Sequence, residues 1–133
     1  MMISTKGRYA LRVMAELACR SDEGYVSLKS VASNQEISEK YMESIISLLV
    51  KSGFVEGVRG KGGGYRLTRP PESYTLLSIL NVTEGSLAPV ACLEHGSNEC
   101  SRAPECKTLP VWQKLNEIID SYLSSVTLAD ICN

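Results

Sequence analysis

A chain of 133 residues, 44% hydrophobic and 22% charged, has the size and composition of one globular domain with its own core. Its longest apolar runs are a few residues, too short for a membrane span, and Met1-Met2-Ile3-Ser4-Thr5-Lys6 has neither the apolar core nor the cleavage site of a secretory signal. The expected location is therefore the cytoplasm, where grouped cysteines serve metals or redox chemistry more often than disulfides.

The net charge of -1 is unevenly spread. Residues 1–70 carry eleven Lys and Arg against seven Asp and Glu, and residues 71–133 carry three against eight. A basic front and an acidic back fit a part that faces DNA joined to a part that does not.

In chain order, Ser4 or Thr5 caps a first helix whose apolar stripe is Leu11, Met14, Ala15 and Ala18. Lys6, Arg8 and Arg12 stand near its start, where cations oppose the helix dipole, so they point to a nearby anion such as phosphate. A turn at Ser21-Asp22-Glu23-Gly24 leads to a short strand at Val26. Ser27 then caps a helix carrying Leu28, Val31 and Ala32, and Asn34-Gln35 forms the next turn. Ser38 caps a third helix with an inward stripe of Tyr41, Ile45, Leu48 and Leu49 and with Gly53 at its C-terminal end.

Two short helices joined by a tight turn make a helix-turn-helix, whose second helix enters the major groove. The residues expected to face DNA there are Ser38, Lys40, Tyr41, Glu43 and Ser44, with Glu39 beside them; a glutamate in this set can accept from a cytosine amino group.

Phe54 to Val58 and Tyr65 to Thr68 alternate as strands around Arg59-Gly60-Lys61-Gly62-Gly63-Gly64, a hairpin with a basic, glycine-rich tip. Such a wing brings backbone and cations close to a narrow minor groove, so Arg59, Gly60, Lys61, Gly62, Gly63 and Tyr65 join the DNA-facing set. A phosphate-binding loop is excluded by spacing, because the run joins two strands and lacks G-x-x-x-x-G-K-[ST].

Arg69-Pro70-Pro71 closes the wing, and Thr75 caps a short helix with Leu76, Ile79, Leu80 and Val82 inside. The following loop holds three cysteines as Cys92-x7-Cys100-x5-Cys106, among turn-forming residues that break any period. Thiolates on such a loop favour zinc, copper(I) or an iron-sulfur cluster, and zinc fits the wide spacing poorly. Cys19 and Cys132 read as a packed small residue and a tail residue. Thr108 then caps a long helix with Pro110 in its first turn. Trp112, Leu115, Ile118, Ile119 and Tyr122, preceded by Val111, form an apolar stripe that a second copy of the chain would cover as a homodimer on a palindromic operator.

The expected fold class is mainly α with a small β-hairpin wing. The expected layout is a winged helix-turn-helix over 1–71, a connecting helix and linker over 72–91, a cysteine-rich cluster or sensor loop over 92–107, and a dimerisation helix with a C-terminal turn over 108–133. An enzyme is not expected, since no nucleophile has a base beside it.

Ser4-Thr5-Lys6-Gly7-Arg8-Tyr9-Ala10-Leu11, the run from Val58 to Leu67, the cysteine triplet, Trp112 and Thr127-Leu128-Ala129-Asp130 resemble the BadM/IscR/NsrR/CymR (Rrf2) family of winged-helix regulators over the whole chain. The resemblance implies a DNA-binding homodimer whose cluster-bearing members hold a two-iron or four-iron cluster through the residues matching Cys92, Cys100 and Cys106. It implies that cluster state sets operator affinity. The alternatives are a cluster-free thiol-redox regulator or a small zinc-binding interaction protein.

One departure concerns the fourth ligand. The position where IscR-like members place a histidine is Leu109, and the region where NsrR-like members use an aspartate reads Lys6-Gly7-Arg8. The candidates left are His95, Glu94, Glu99, Glu105, a water or a small thiol.

Overall fold

The structure, a computed structural model, describes residues 3–94 and 100–132. Helix α1 spans Thr5–Cys19, α2 Leu28–Gln35, α3 Glu39–Lys51, α4 Leu76–Glu84, α5 Leu109–Ser125 and α6 Leu128–Cys132; strands β1, Val55–Val58, and β2, Gly64–Leu67, form an antiparallel hairpin. This is a winged helix-turn-helix extended by three further helices. Single 3-10 turns sit at Ser21–Glu23, Pro71–Ser73, Ala91–Leu93 and Ala103–Glu105.

Each early helix starts where a hydroxyl satisfies an otherwise orphaned backbone N–H. Ser4 accepts from Gly7, Ser27 from Ser30, Ser38 from Tyr41 and Thr75 from Ser78. Each such cap contributes about 1 kcal/mol. Glycine at position 7 also leaves room for the Glu84 carboxylate, which accepts from the Ser4 N–H at 3.1 Å and the Ser4 hydroxyl at 2.7 Å. The end of α4 is thereby tied to the start of α1.

The helix-turn-helix bend falls one residue beyond the expected Asn34-Gln35, because α2 continues through Gln35 and Glu36 adopts left-handed backbone, φ 55. The Glu36 N–H donates to Ser33 and the Ile37 N–H to Ala32, a Schellman closure sealed by the buried Ile37. A polar clamp holds α2 against α1. Glu16 accepts from Arg20 at 2.9 Å, Asn34 at 3.1 Å and Gln35 at 2.6 Å, and Arg20 also donates to Ser30.

Two apolar stripes differ from the sequence expectation. In α1 the buried line is Ala10, Val13, Met14, Leu17 and Ala18, with Leu11 and Ala15 half-buried. In α3 it is Met42, Ile45, Ile46 and Leu49, while Tyr41 is exposed and Leu48 half-buried. The cause is the same in both: the face that neighbouring elements cover is rotated by about one residue from the expected stripe, toward α4 on α1 and toward α2 and β1 on α3.

One core runs through the winged part and the later helices, joining Met14, Met42, Ile45 and Val55 to Tyr74, Ile79 and Leu128. Backbone bonds from Leu76 to Val126 and from Leu128 to Tyr74 pin the C-terminal turn beside α4. No helix among the described residues is long and apolar enough to cross a membrane.

Candidate nucleic-acid interface and cysteine loop

The hairpin register pairs Val55 with Leu67, Glu56 with Arg66, Gly57 with Tyr65 and Val58 with Gly64. Val26 adds a third short edge, exchanging backbone bonds with Tyr65 at 2.9 and 2.8 Å. That edge explains Gly64, whose φ is 153 and where a Cβ would collide with the Val26 carbonyl. Gly60 and Gly62 take positive φ, and Gly63 donates back to Gly60, which folds the tip into a compact basic turn.

Helix α3 and this wing face each other across an open cleft of about 520 Å³. It is lined by Glu43, Ile46, Ser47 and Val50 from the helix and by Gly57, Val58, Arg59, Gly60 and Tyr65 from the wing. Glu43, Arg59, Gly60 and Tyr65, expected from sequence to face DNA, are therefore brought together. Ser47, Val50 and Val58 were not expected there. Val50 and Val58 are 42% and 49% exposed, and no local sequence signal marks them.

The other expected DNA-facing residues do not line the cleft. Lys40, Lys61 and Gly62 are exposed, and Gly63 is half-buried. The Ser38 hydroxyl oxygen is used in its cap, accepting from the Tyr41 N–H at 3.2 Å. Ser44 donates its proton to the Tyr41 carbonyl at 2.7 Å, so it presents an acceptor and not a donor. Tyr41 packs edge-on to Tyr9 at 5.8 Å, and the Arg12 guanidinium covers Tyr9 at 5.0 Å. Lys6 and Arg8 mark the start of α1, away from the cleft lining, where Arg8 donates to Thr5.

Cys92 lies in the 3-10 turn Ala91–Leu93 and is half-buried, Cys100 is exposed, and Cys106 is half-buried just ahead of α5. The Cys106 thiol is held below its ordinary pKa, first by the Thr108 hydroxyl at 3.4 Å and then by the Thr108 and Leu109 backbone and the Arg102 charge, while burial opposes this. Thr108 thus occupies the expected capping position of α5 without making the side-chain cap, because its hydroxyl turns to Cys106.

As a donor set, three thiols on one loop match the softness of iron-sulfur ligation. Among the described residues, however, no three Cys, His, Asp or Glu side chains converge on one point. The candidate fourth ligands His95 and Glu99 lie outside the described residues. Glu94 and Glu105 are exposed, and Leu109 is buried with nothing to donate to a metal.

On α5 the exposed apolar line is Val111, Leu115, Ile118 and Tyr122, at 57%, 38%, 53% and 64%. Trp112 and Ile119, expected in the same stripe, are half-buried instead, on a helix whose inner side packs against α4. Cys19 and Cys132, expected to be independent, are joined in a disulfide across 113 positions of sequence.

The family model Rrf2, described as iron-dependent transcriptional regulator, matches residues 3–133. The HTH-type transcriptional regulator CymR of Bacillus subtilis is 39% identical over all of this chain and 91% of its own. Among solved structures, that of CymR, titled the global cysteine regulator of B. subtilis, superposes with a TM-score of 0.84 at 38% identity, covering 99% of this chain and 96% of the other. The structure of T. potens IscR gives 0.77 at 40% identity, covering 98% and 85%.

Proposed function

Since the chain belongs to the Rrf2 family of transcriptional regulators, DNA-binding proteins and not enzymes, we propose that it acts as a cytoplasmic homodimer reading a palindromic operator through α3 and the wing, with its affinity set by an iron-sulfur cluster on Cys92, Cys100 and Cys106. The observation that carries the cluster is the placement of Cys106: a thiol already biased toward thiolate at the start of α5, on a loop with two more thiols. Thiolate is the form that ligates iron.

When bound, a cluster supplies a redox-active centre that oxidants can alter or remove. The chain's own residues do the rest. Cys106 stands beside the first turn of α5, so rearrangement of the loop acts directly on the helix that carries Val111, Leu115, Ile118 and Tyr122. Covering those residues with the same face of a second copy sets the separation of two wings and two copies of α3. Within each copy Glu43 reads a base edge, Arg59 and Lys61 meet the backbone or the minor groove, and Lys6 and Arg8 meet phosphates.

The similarity to CymR favours a second reading, a cluster-free thiol sensor on the same frame. Both are tested on protein purified without oxygen, wild type against Cys100→Ala, by absorption spectrum with iron and sulfide analysis. A cluster gives visible absorbance and iron that the variant loses, and the iron content fixes the cluster type. Colourless protein, free of iron and sulfide after anaerobic reconstitution, overturns cluster control in favour of thiol chemistry.

A further inference from the structure

We propose that Cys19 and Cys132 form a reversible oxidation site that clamps the C-terminal turn onto the first helix, separate from the cysteine loop. The two residues end α1 and α6, and their Cα atoms are 5.5 Å apart, within the range a disulfide spans without backbone movement. Both backbones are set there by other contacts. Helix α6 packs along α1, Leu128 is fully buried, and the Leu128 N–H is held by the Tyr74 carbonyl. The cysteines are thus brought together by packing that does not depend on the bond between them.

The pair is also open to reagents. Cys19 is exposed, Cys132 is half-buried, and both line a groove of about 310 Å³ with Ala18, Pro71, Glu72 and Ala129. Large enough for a small peroxide or thiol, that groove lets oxidant in and reductant follow. With hydrogen peroxide, the Cys19 thiolate attacks one oxygen, the O–O bond breaks, and hydroxide leaves and takes up the thiol's proton as water. The Cys132 sulfur then attacks the Cys19 sulfenic sulfur, the S–O bond breaks, and a second water leaves with the Cys132 proton. Two thiols lose two electrons and two protons, and one peroxide becomes two waters. A dithiol reverses the reaction by exchange and is itself oxidised to a disulfide.

Closing this bond leashes positions 113 residues apart, so it restricts nearly the whole unfolded chain and resists release of α6 from α1. Because α6 directly follows α5, the clamp also fixes the far end of the helix proposed to dimerise. The site is independent of whether the loop holds iron.

The test uses the full chain with Cys92, Cys100 and Cys106 all changed to Ser, reduced and then treated with hydrogen peroxide. Reactive thiols are expected to fall from two to none per chain while the protein still runs as a single chain on a non-reducing gel. The melting temperature is expected to rise by on the order of 10 °C, reversibly with dithiothreitol. Adding Cys132→Ser should abolish both effects. Two thiols surviving, a bond between copies, or an unchanged melting temperature overturns the proposal. Should the triple variant fail to fold, peptide mapping of peroxide-treated wild type decides: a linked Cys19–Cys132 peptide supports the clamp, and its absence overturns it.

Discussion

The Tyr74 hydroxyl donates to the Phe54 carbonyl at 2.7 Å, while the backbone N–H groups of Thr68 and Arg69 donate to it at 3.1 and 3.2 Å. One fully buried phenol thus joins both ends of the hairpin at the base of the wing. Tyr74→Phe keeps the ring, which packs edge-on to Phe54 at 5.5 Å, and removes those bonds. The expected loss is about 2 kcal/mol, measured by urea unfolding. Hydrogen exchange should quicken at Thr68 and Arg69 ahead of α1; equal protection in the variant would remove Tyr74 from this role.

Arg59 and Glu43 line the same cleft from opposite sides, and their substitutions should separate. Arg59→Ala is expected to weaken binding to all DNA sequences and to flatten the log–log salt dependence by about 0.9. Glu43→Ala is expected to cost about 1–3 kcal/mol on the preferred operator and far less on unrelated DNA. Titrating both variants against operator and scrambled duplexes over a salt series checks this. Uniform losses for Glu43→Ala would exclude base reading by that residue.

Ile118→Asp should split the proposed homodimer. Ile118 lies mid-way along the exposed line of α5, and a carboxylate there would be desolvated in each half of the interface. The dimer dissociation constant is expected to rise about 100-fold or more, equivalent to about 2.7 kcal/mol, as read by sedimentation. Operator affinity should fall with it. A monomeric wild type would remove the basis of the prediction.

Cys106 should alkylate at lower pH than an ordinary thiol. Its pKa is depressed chiefly by Thr108, so the thiolate is populated further below the usual thiol range, and the onset of iodoacetamide reactivity shifts down. Thr108→Val should move that onset back up. The depressed value also means that this contribution to folding stability is complete above the unfolded thiol's pKa and fades as pH falls through the folded one. Iron-free protein followed by mass spectrometry across pH 6 to 9 gives the curve; identical onsets for wild type and variant would discount the hydroxyl.

Helix starts were readable because Ser4, Ser27, Ser38 and Thr75 carry their signal in the local chain. The wing was readable because its glycines meet a local steric demand. What escaped depends on partners distant in sequence. Met42 and Ile46 count as core only once α1 and β1 close over α3, and Tyr41 turns outward to Tyr9. Trp112 and Ile119 separate from Ile118 and Tyr122 only once α4 covers one side of α5. Cys19 and Cys132 meet only through the docking of α6, which no spacing rule anticipates.

Because Tyr74, Ile79 and Leu128 belong to the same core as Met14, Ile45 and Val55, α4 and α6 pack as one block with α1, α3 and the base of the wing. In the proposed homodimer, a change near Cys106 would act on the angle at which two such blocks meet, which would make operator half-site spacing the quantity that senses it. Adding or removing a single base pair at the operator centre should therefore mimic or cancel the signal, with every base contact left in place.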